Sequence, residues 1–246
     1  MTEEKTELAT AFKEIVRQRR SMRVYDNQAD YDTDRVTECA KTATLSPNSS
    51  NMQLWEFYHV VSPEKKRKLA ELCMNQNAAK TAGSLMVIVA RPDLWKKRKE
   101  HNLENMKKRF PDHSENRAKR AFDYYRKLIP FFYSSDRLGI INRGKRVMAW
   151  FMGLRKPMFR ELRRSDIRVT VHKSAALAAM TFMYAMKSEG YDTCPMEGFD
   201  SKRVKKLLGL PNRSEINMVV GCGVGTPEGI YDERRRVPHD EVIFNV

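Results

Sequence analysis

Cysteine is scarce in these 246 residues: Cys39, Cys73, Cys194 and Cys222 are all there is, with no CxxC pair and no metal-ligand spacing. That excludes a disulfide scaffold and a zinc module, and reads as reduced thiols in a reducing compartment. Glycine (11) and proline (10) are too few for a collagen-like or low-complexity chain. No window approaches the roughly 18–20 uninterrupted apolar residues of a membrane-spanning helix. Met1 is followed by Thr2-Glu3-Glu4-Lys5-Thr6-Glu7, polar and acidic where a secretory leader is basic and then apolar, so a cytoplasmic location is expected. Acid is also short: 31 Asp and Glu face 46 Lys and Arg, a net charge of +15.

The excess base is localised. Residues 91–168 hold 23 basic and 9 acidic residues, and the remainder of the chain is within one charge of neutral. Hydrophobic residues at 41% and aromatics at 9% exclude disorder throughout. A single domain spanning 1–246 is expected, interrupted by a basic insertion at about 91–168. Any argument for an anionic partner is an argument about that insertion.

Helical spacing marks residues 7–20 and 33–45, and Ser62-Pro63-Glu64 opens a third helix reaching about Met74. Residues 55–61 and the wholly apolar 85–90 read as strands, as do 216–220. Residues 94–128 suggest two polar helices broken near Pro111, and Pro157 interrupts any helix in 138–163. Residues 174–186 are apolar nearly all round, which predicts a buried helix with Gly190 at its end. A short helix over 200–208 ends at Gly209. Without internal repeats, this order suggests an α+β fold with a mixed sheet covered by helices.

Four blocks carry groups suited to chemistry. Arg19-Arg20-Ser21-Met22-Arg23 and Arg234-Arg235-Arg236-Val237-Pro238 are rich in guanidinium, whose planar fork suits phosphate oxygens. Ser46-Pro47-Asn48-Ser49-Ser50-Asn51-Met52-Gln53-Leu54-Trp55 offers amides and hydroxyls able to read the edge of a planar heterocycle. Cys194-Pro195-Met196-Glu197-Gly198-Phe199 reads as a turn after the buried helix. Each block alone also has a plain reading, as a solvated helix end or a polar turn. Gly221-x-Gly223-x-Gly225 leaves a strand with no helix behind it and is discounted as a dinucleotide site. His59, His101, His113, His172 and His239 are scattered, and none is assigned to catalysis.

Taken in order, these blocks resemble the FMN-dependent nitroreductase family over roughly residues 8–90 and 168–246. The resemblance implies a homodimer with FMN at the subunit interface and NADH or NADPH as reductant. Hydride would enter at flavin N5 and leave to a flat acceptor such as a nitroaromatic or quinone, in two half-reactions. Arg19, Ser21, Arg234 and Arg236, with Arg20 beside them, would hold the phosphate, and Arg23 would lie at the N1/O2 edge. Asn75 would face the pyrimidine. Pro47, Asn48, Ser49, Asn51 and Gln53 would reach the partner's flavin, while Pro195 and the backbone of Glu197 and Gly198 would face N5. The Glu197 carboxylate has the alternative of capping local backbone. Leu54 departs from the proline usual there, and Asn48 from the common serine. No metal and no nucleic acid is expected.

Other readings stay open. A dehalogenase or flavin-modifying relative would share the fold. A different class, a non-catalytic basic protein on nucleic acid or a membrane surface, rests on the insertion alone. Within it, residues 138–163 set Trp150, Phe151, Met152 and Phe159 among cations, the composition of an interfacial helix and so of peripheral membrane contact. Trp95, Phe110, Tyr124, Tyr125, Phe131, Phe132 and Tyr133 are candidates to wall the pocket.

Overall fold

The run Ser84–Ala90 forms strand β2, buried along its whole length. A strand buried on both faces needs paired edges and a layer above and below. In the computed structural model, which describes residues 3–110, 116–136 and 138–246, it has all of these. Strands β1 (Trp55–Val60) and β4 (Glu215–Gly223) flank β2, and β3 (Asp192–Met196) lies outside β4, giving the order β1-β2-β4-β3. All three ladders are antiparallel. The mixed sheet expected from sequence is therefore corrected. The chain leaves β1 at Val60 and enters β2 opposite it at Leu85, so the helices between are an excursion from one sheet end and not a crossover. Among the described residues the parallel element is a single bridge, Ser21 to Thr193.

The side chains of β2 divide by the period of two. Met86 and Ile88 pack under α9 (Arg164–Ser188) and α2 (Thr33–Ala43), against Ala175, Ala178, Ala179, Phe182 and Val36. Leu85, Val87 and Val89 face the opposite layer of α3 (Pro63–Leu72), α4 (Asn77–Lys80) and α10 (Ser201–Leu207). Ser62 caps α3 through the Lys65 amide, with Pro63 in the first turn, as the sequence predicts. Helix α9 begins ten residues before the expected 174. Its first turns carry charge on the solvent side, and the Asp166 carboxylate accepts the Arg163 N–H at 2.8 Å to start it.

Two further expectations need correction. The segment around Cys194 and Pro195 is strand, not turn. β3 is the outer strand of the sheet, and its outer side is met by a single bridge, Ser21 to Thr193, two residues before Pro195, so the N–H that proline lacks is not missed. The glycines leaving β4 are there for packing: a Cβ on Gly221 would strike the Ala78 carbonyl.

Residues 91–168 fold as α5 (Trp95–Arg109), α6 (Asn116–Asp123), a π-turn over 124–128, α7 (Ile129–Tyr133) and α8 (Ile140–Gly153). The expected break at Pro111, and His113, lie outside the described residues. Ile129, Tyr133, Val171, Met52, Leu54 and Ala90 form one cluster fastening this region to the sheet end. Leu54, at 2% exposure, is part of that cluster. Among the described residues no helix is long and apolar enough to cross a membrane.

Candidate functional site

Helix α1 (Glu3–Gln18) ends at the basic block, and the chain then runs beside the sheet edge. The Met22 amide donates to the Thr193 carbonyl at 3.1 Å, and Ser21 bridges Thr193. The Arg23 amide donates to the Gly229 carbonyl at 2.9 Å. Segment 19–25 is thus wedged between β3 and the chain leaving β4. Its tightness shows at Gly229, where a Cβ would strike the Met22 sulfur.

The C-terminal arginines come to the same place. Arg234 Nη2 donates to the carbonyls of Arg17 at 2.9 Å and Arg19 at 2.6 Å, closing the open end of α1. Arg20 Nη2 donates to the Asp232 carbonyl at 2.5 Å. Arg19 is half-buried, and among the described residues no carboxylate pairs with it. Burial first, then the charges of Arg234 and Arg236, push its guanidinium below the ordinary arginine range. Arg234 and Arg236 are therefore near enough for their charges to act on Arg19. Three guanidiniums gathered in this way could hold an anion.

Continuing along β3, the Cys194 thiol feels Arg23 and Arg19, although burial dominates and pushes its pKa up. Past Pro195 and Met196, Glu197 and Gly198 are exposed. Gln76 Nε2 donates to the Gly198 carbonyl at 2.8 Å and to the Cys73 carbonyl at 2.9 Å, binding this turn to the one holding Asn75. The alternative that Glu197 caps backbone finds no hydrogen bond among the described residues. The Arg23 guanidinium stacks 5.0 Å from the Tyr231 ring centroid, and Tyr231 accepts from Asn77 Nδ2 at 3.2 Å. Arg19, Arg20, Ser21, Arg23, Asn75, Pro195, Glu197, Gly198, Arg234 and Arg236 thus share one region.

The second loop stands apart. Pro47, Asn48, Ser49, Asn51 and Gln53 are held by α9 and the insertion. Ser49 N–H donates to Ser174 Oγ at 3.3 Å, Asn102 donates to the Asn51 carbonyl at 2.9 Å, and Ser50 Oγ meets the Tyr124 hydroxyl at 2.5 Å. Asn48 is turned inward: its carbonyl accepts the Gln53 amide at 2.7 Å, so it shapes the loop. Gln53 in turn donates to Asn51 at 3.2 Å. No hydrogen bond among the described residues joins this group to the first.

Backbone strain marks both. Every described non-glycine residue with left-handed φ lies in these two segments: Ser50 (56°), Asn51 (48°) and Gln53 (47°) in one, Met74 (58°) and Asn75 (54°) in the other. Such strain persists only where the surroundings enforce it, and it gathers at functional sites.

A family model described as the nitroreductase family matches residues 16–225. The chain belongs to the nitroreductase family. YdgI of Bacillus subtilis is 26% identical over 225 residues, covering 91% of this chain and 92% of that one. The oxygen-insensitive NADPH nitroreductase of Helicobacter pylori is 22% identical over 225 residues, covering 91% of each. A solved structure from Exiguobacterium sibiricum in complex with FMN has a TM-score of 0.66 at 22% identity, covering 96% of this chain and 97% of that one. Membership bears out the reading of the chain as an oxidoreductase.

Three neighbours of the first group in this nitroreductase-family chain carry no mark in the sequence as site residues: Gln76, Asn77 and Tyr231. The nearest signal is that Gln76 and Asn77 adjoin Asn75 in one polar turn. Tyr231 sits three residues before the basic block and gives none. Of the scattered histidines, His59 is enclosed in a hydrogen-bond chain with Ser84 (2.8 Å) and Tyr31, and burial pushes its pKa down. His172 pairs with Glu215 at 3.0 Å.

Proposed function

We propose that this chain is an FMN-dependent oxidoreductase that takes hydride from NADH or NADPH and delivers it to a flat acceptor such as a nitroaromatic or quinone. The observation that carries this is Arg19, half-buried, without an acid, and crowded by Arg234 and Arg236. That donor set fits a phosphate monoester, which carries nearly two negative charges. FMN, when bound, supplies reversible two-electron chemistry at N5.

The chain's own residues bind and orient. Arg19, Ser21 and Arg236 would hold the phosphate. Arg234 secures the end of α1 and keeps the tail against it, and Arg20 tethers Asp232. Arg23, braced by Tyr231, would supply a fixed cation to the pyrimidine edge of a bound flavin and so favour its negatively charged form. Asn75 offers its amide to that edge. Pro195 leads into the Glu197 and Gly198 backbone at N5, and Gln76 fixes the Gly198 peptide.

Pro47, Asn48, Ser49, Asn51 and Gln53 complete the pocket from a second protomer. Two features support a homodimer. Among the described residues no hydrogen bond joins the loop to the first group within one chain, and apolar side chains stand uncovered on α1 (Leu8, Phe12) and in the tail (Val242, Ile243, Phe244). The single unit spans 1–246, with residues 91–168 inserted beside the second loop, where Tyr124 and Tyr125 brace Ser50. The four free, buried cysteines suit a cytoplasmic location.

Anaerobic stopped-flow mixing of the yellow protein with NADH and with NADPH tests the reaction. Loss of flavin absorbance with at least one, and its return on adding a nitroaromatic or quinone, is the expected result. If neither nucleotide bleaches the flavin, the activity is wrong though the fold stands.

A further inference from the structure

Helix α8 is inverted. Its protein-facing positions are Asn142, Lys145 and Ala149, and both polar groups find backbone: Asn142 donates to the Leu162 carbonyl at 2.7 Å, and Lys145 to the Ser134 carbonyl. Its apolar residues face outward instead, with Ile140 63%, Val147 57%, Trp150 54% and Phe151 60% exposed. A helix of an isolated domain turns that stripe inward, so this face has an external occupant. Beside it, a cavity of about 330 Å³ is lined by Arg146, Val147, Ala149, Trp150 and Arg160.

Charge selects the occupant. Between Asp136 and Glu161 the exposed charges of the described residues are all cations: Arg143, Arg146, Arg155, Lys156 and Arg160. A second copy meeting this face about a two-fold axis would set these cations against their own copies, with carboxylates only at the two ends of the stretch. Bases of a nucleic acid would stack on rings, but much of the exposed surface is aliphatic.

We propose that α8 and the chain behind it rest on an anionic phospholipid bilayer. Arg146 and Arg160 grip a lipid phosphate in the cavity between them, Trp150 lies at headgroup depth, and Ile140, Val147 and Phe151 enter the acyl boundary. This does not rest on the flavin reading, since α8 holds none of the residues placed around the cofactor.

Flotation of the purified full-length protein with vesicles tests it. Co-flotation is expected with mixed phosphatidylcholine–phosphatidylglycerol vesicles at low salt, weakening as salt rises, and not with phosphatidylcholine alone. Each cation near such a surface is worth about a factor of five, so the pair Arg146→Gln and Arg160→Gln should weaken binding about 30-fold. Trp150→Ser with Phe151→Ser should also abolish flotation, while flavin content and Tm hold in both variants. The proposal is overturned by no co-flotation at low salt, by variants that float like the parent, or by preference for a DNA duplex over vesicles. A fall in particle mass by light scattering in the Trp150→Ser, Phe151→Ser variant also overturns it, because a second copy then covers the face.

Discussion

Arg19→Glu is expected to purify colourless. The native guanidinium is half-buried, faces no acid, and shares its surroundings with Arg234 and Arg236. A charge-assisted hydrogen bond to phosphate contributes about 1.5–3 kcal/mol, so Arg19→Ala should weaken FMN binding about 10–100-fold. Glutamate adds repulsion toward a dianion and brings the loss to on the order of a thousandfold. Arg19→Lys keeps the charge but not the planar fork and should recover part of the affinity. Stability separates this role from a structural one. Removing a cation from a crowd of cations relieves repulsion, so the flavin-free Arg19→Ala protein should melt at or above the temperature of the flavin-free parent. A lower melting temperature with unchanged FMN affinity would assign Arg19 to the fold.

The largest expected loss of stability is at Arg91, which joins the sheet to the insertion. It is 8% exposed, its guanidinium meets Asp93 at 2.8 Å and also Glu56 on β1, and its amide donates to the Leu54 carbonyl at 2.9 Å. Arg91→Met leaves two partly buried carboxylates without their cation. Breaking such a pair costs about 3–5 kcal/mol, and the partial exposure of Glu56 points to the lower end. For a chain of this size that is a fall in Tm of roughly 6–12 °C. The pH dependence has a definite sign. Burial raises the Asp93 pKa, but the hydrogen bond and charge of Arg91 outweigh it and hold the group below its ordinary 3.8. The stabilisation is complete above that ordinary value and is lost as pH falls through the lowered one. The gap in Tm between parent and Arg91→Met should therefore be widest near neutrality and narrow below about pH 4. A gap constant across that range would mean the loss comes from packing alone.

How much was legible in the sequence depended on how local the signal was. Strand β2 and the start of α3 are written in adjacent residues, an apolar run and a Ser-Pro cap, and both were readable. Strand β3 was not, because Pro195 argues against a strand unless the position is known to lie at an edge. The first turns of α9 were missed since their polar residues face solvent and break the apolar pattern. The antiparallel order depends on where α3 and α4 return the chain, a tertiary matter.

The site divides likewise. The arginines at the two ends of the chain stand out in the sequence as groups suited to phosphate, and their meeting near Arg19 is visible only in the fold. Asn48 accepts the Gln53 N–H within its own loop, a contact that residue type alone does not announce. Tyr231 matters through the cation stacked on it, which no sequence pattern announces. The outward apolar face of α8 was visible as composition, but its inversion appears only once Asn142 and Lys145 are seen to face inward.

The central claim is that cations from both ends of the chain converge on one phosphate. Calorimetric titration of the flavin-free protein with FMN and with riboflavin, which lacks that phosphate, addresses it directly. The account predicts that FMN binds at least about 100-fold more tightly, as two or more charge-assisted contacts require, and that Arg19→Ala with Arg236→Ala removes most of that preference. Equal affinity for the two flavins, or a preference untouched by removing both arginines, would contradict it.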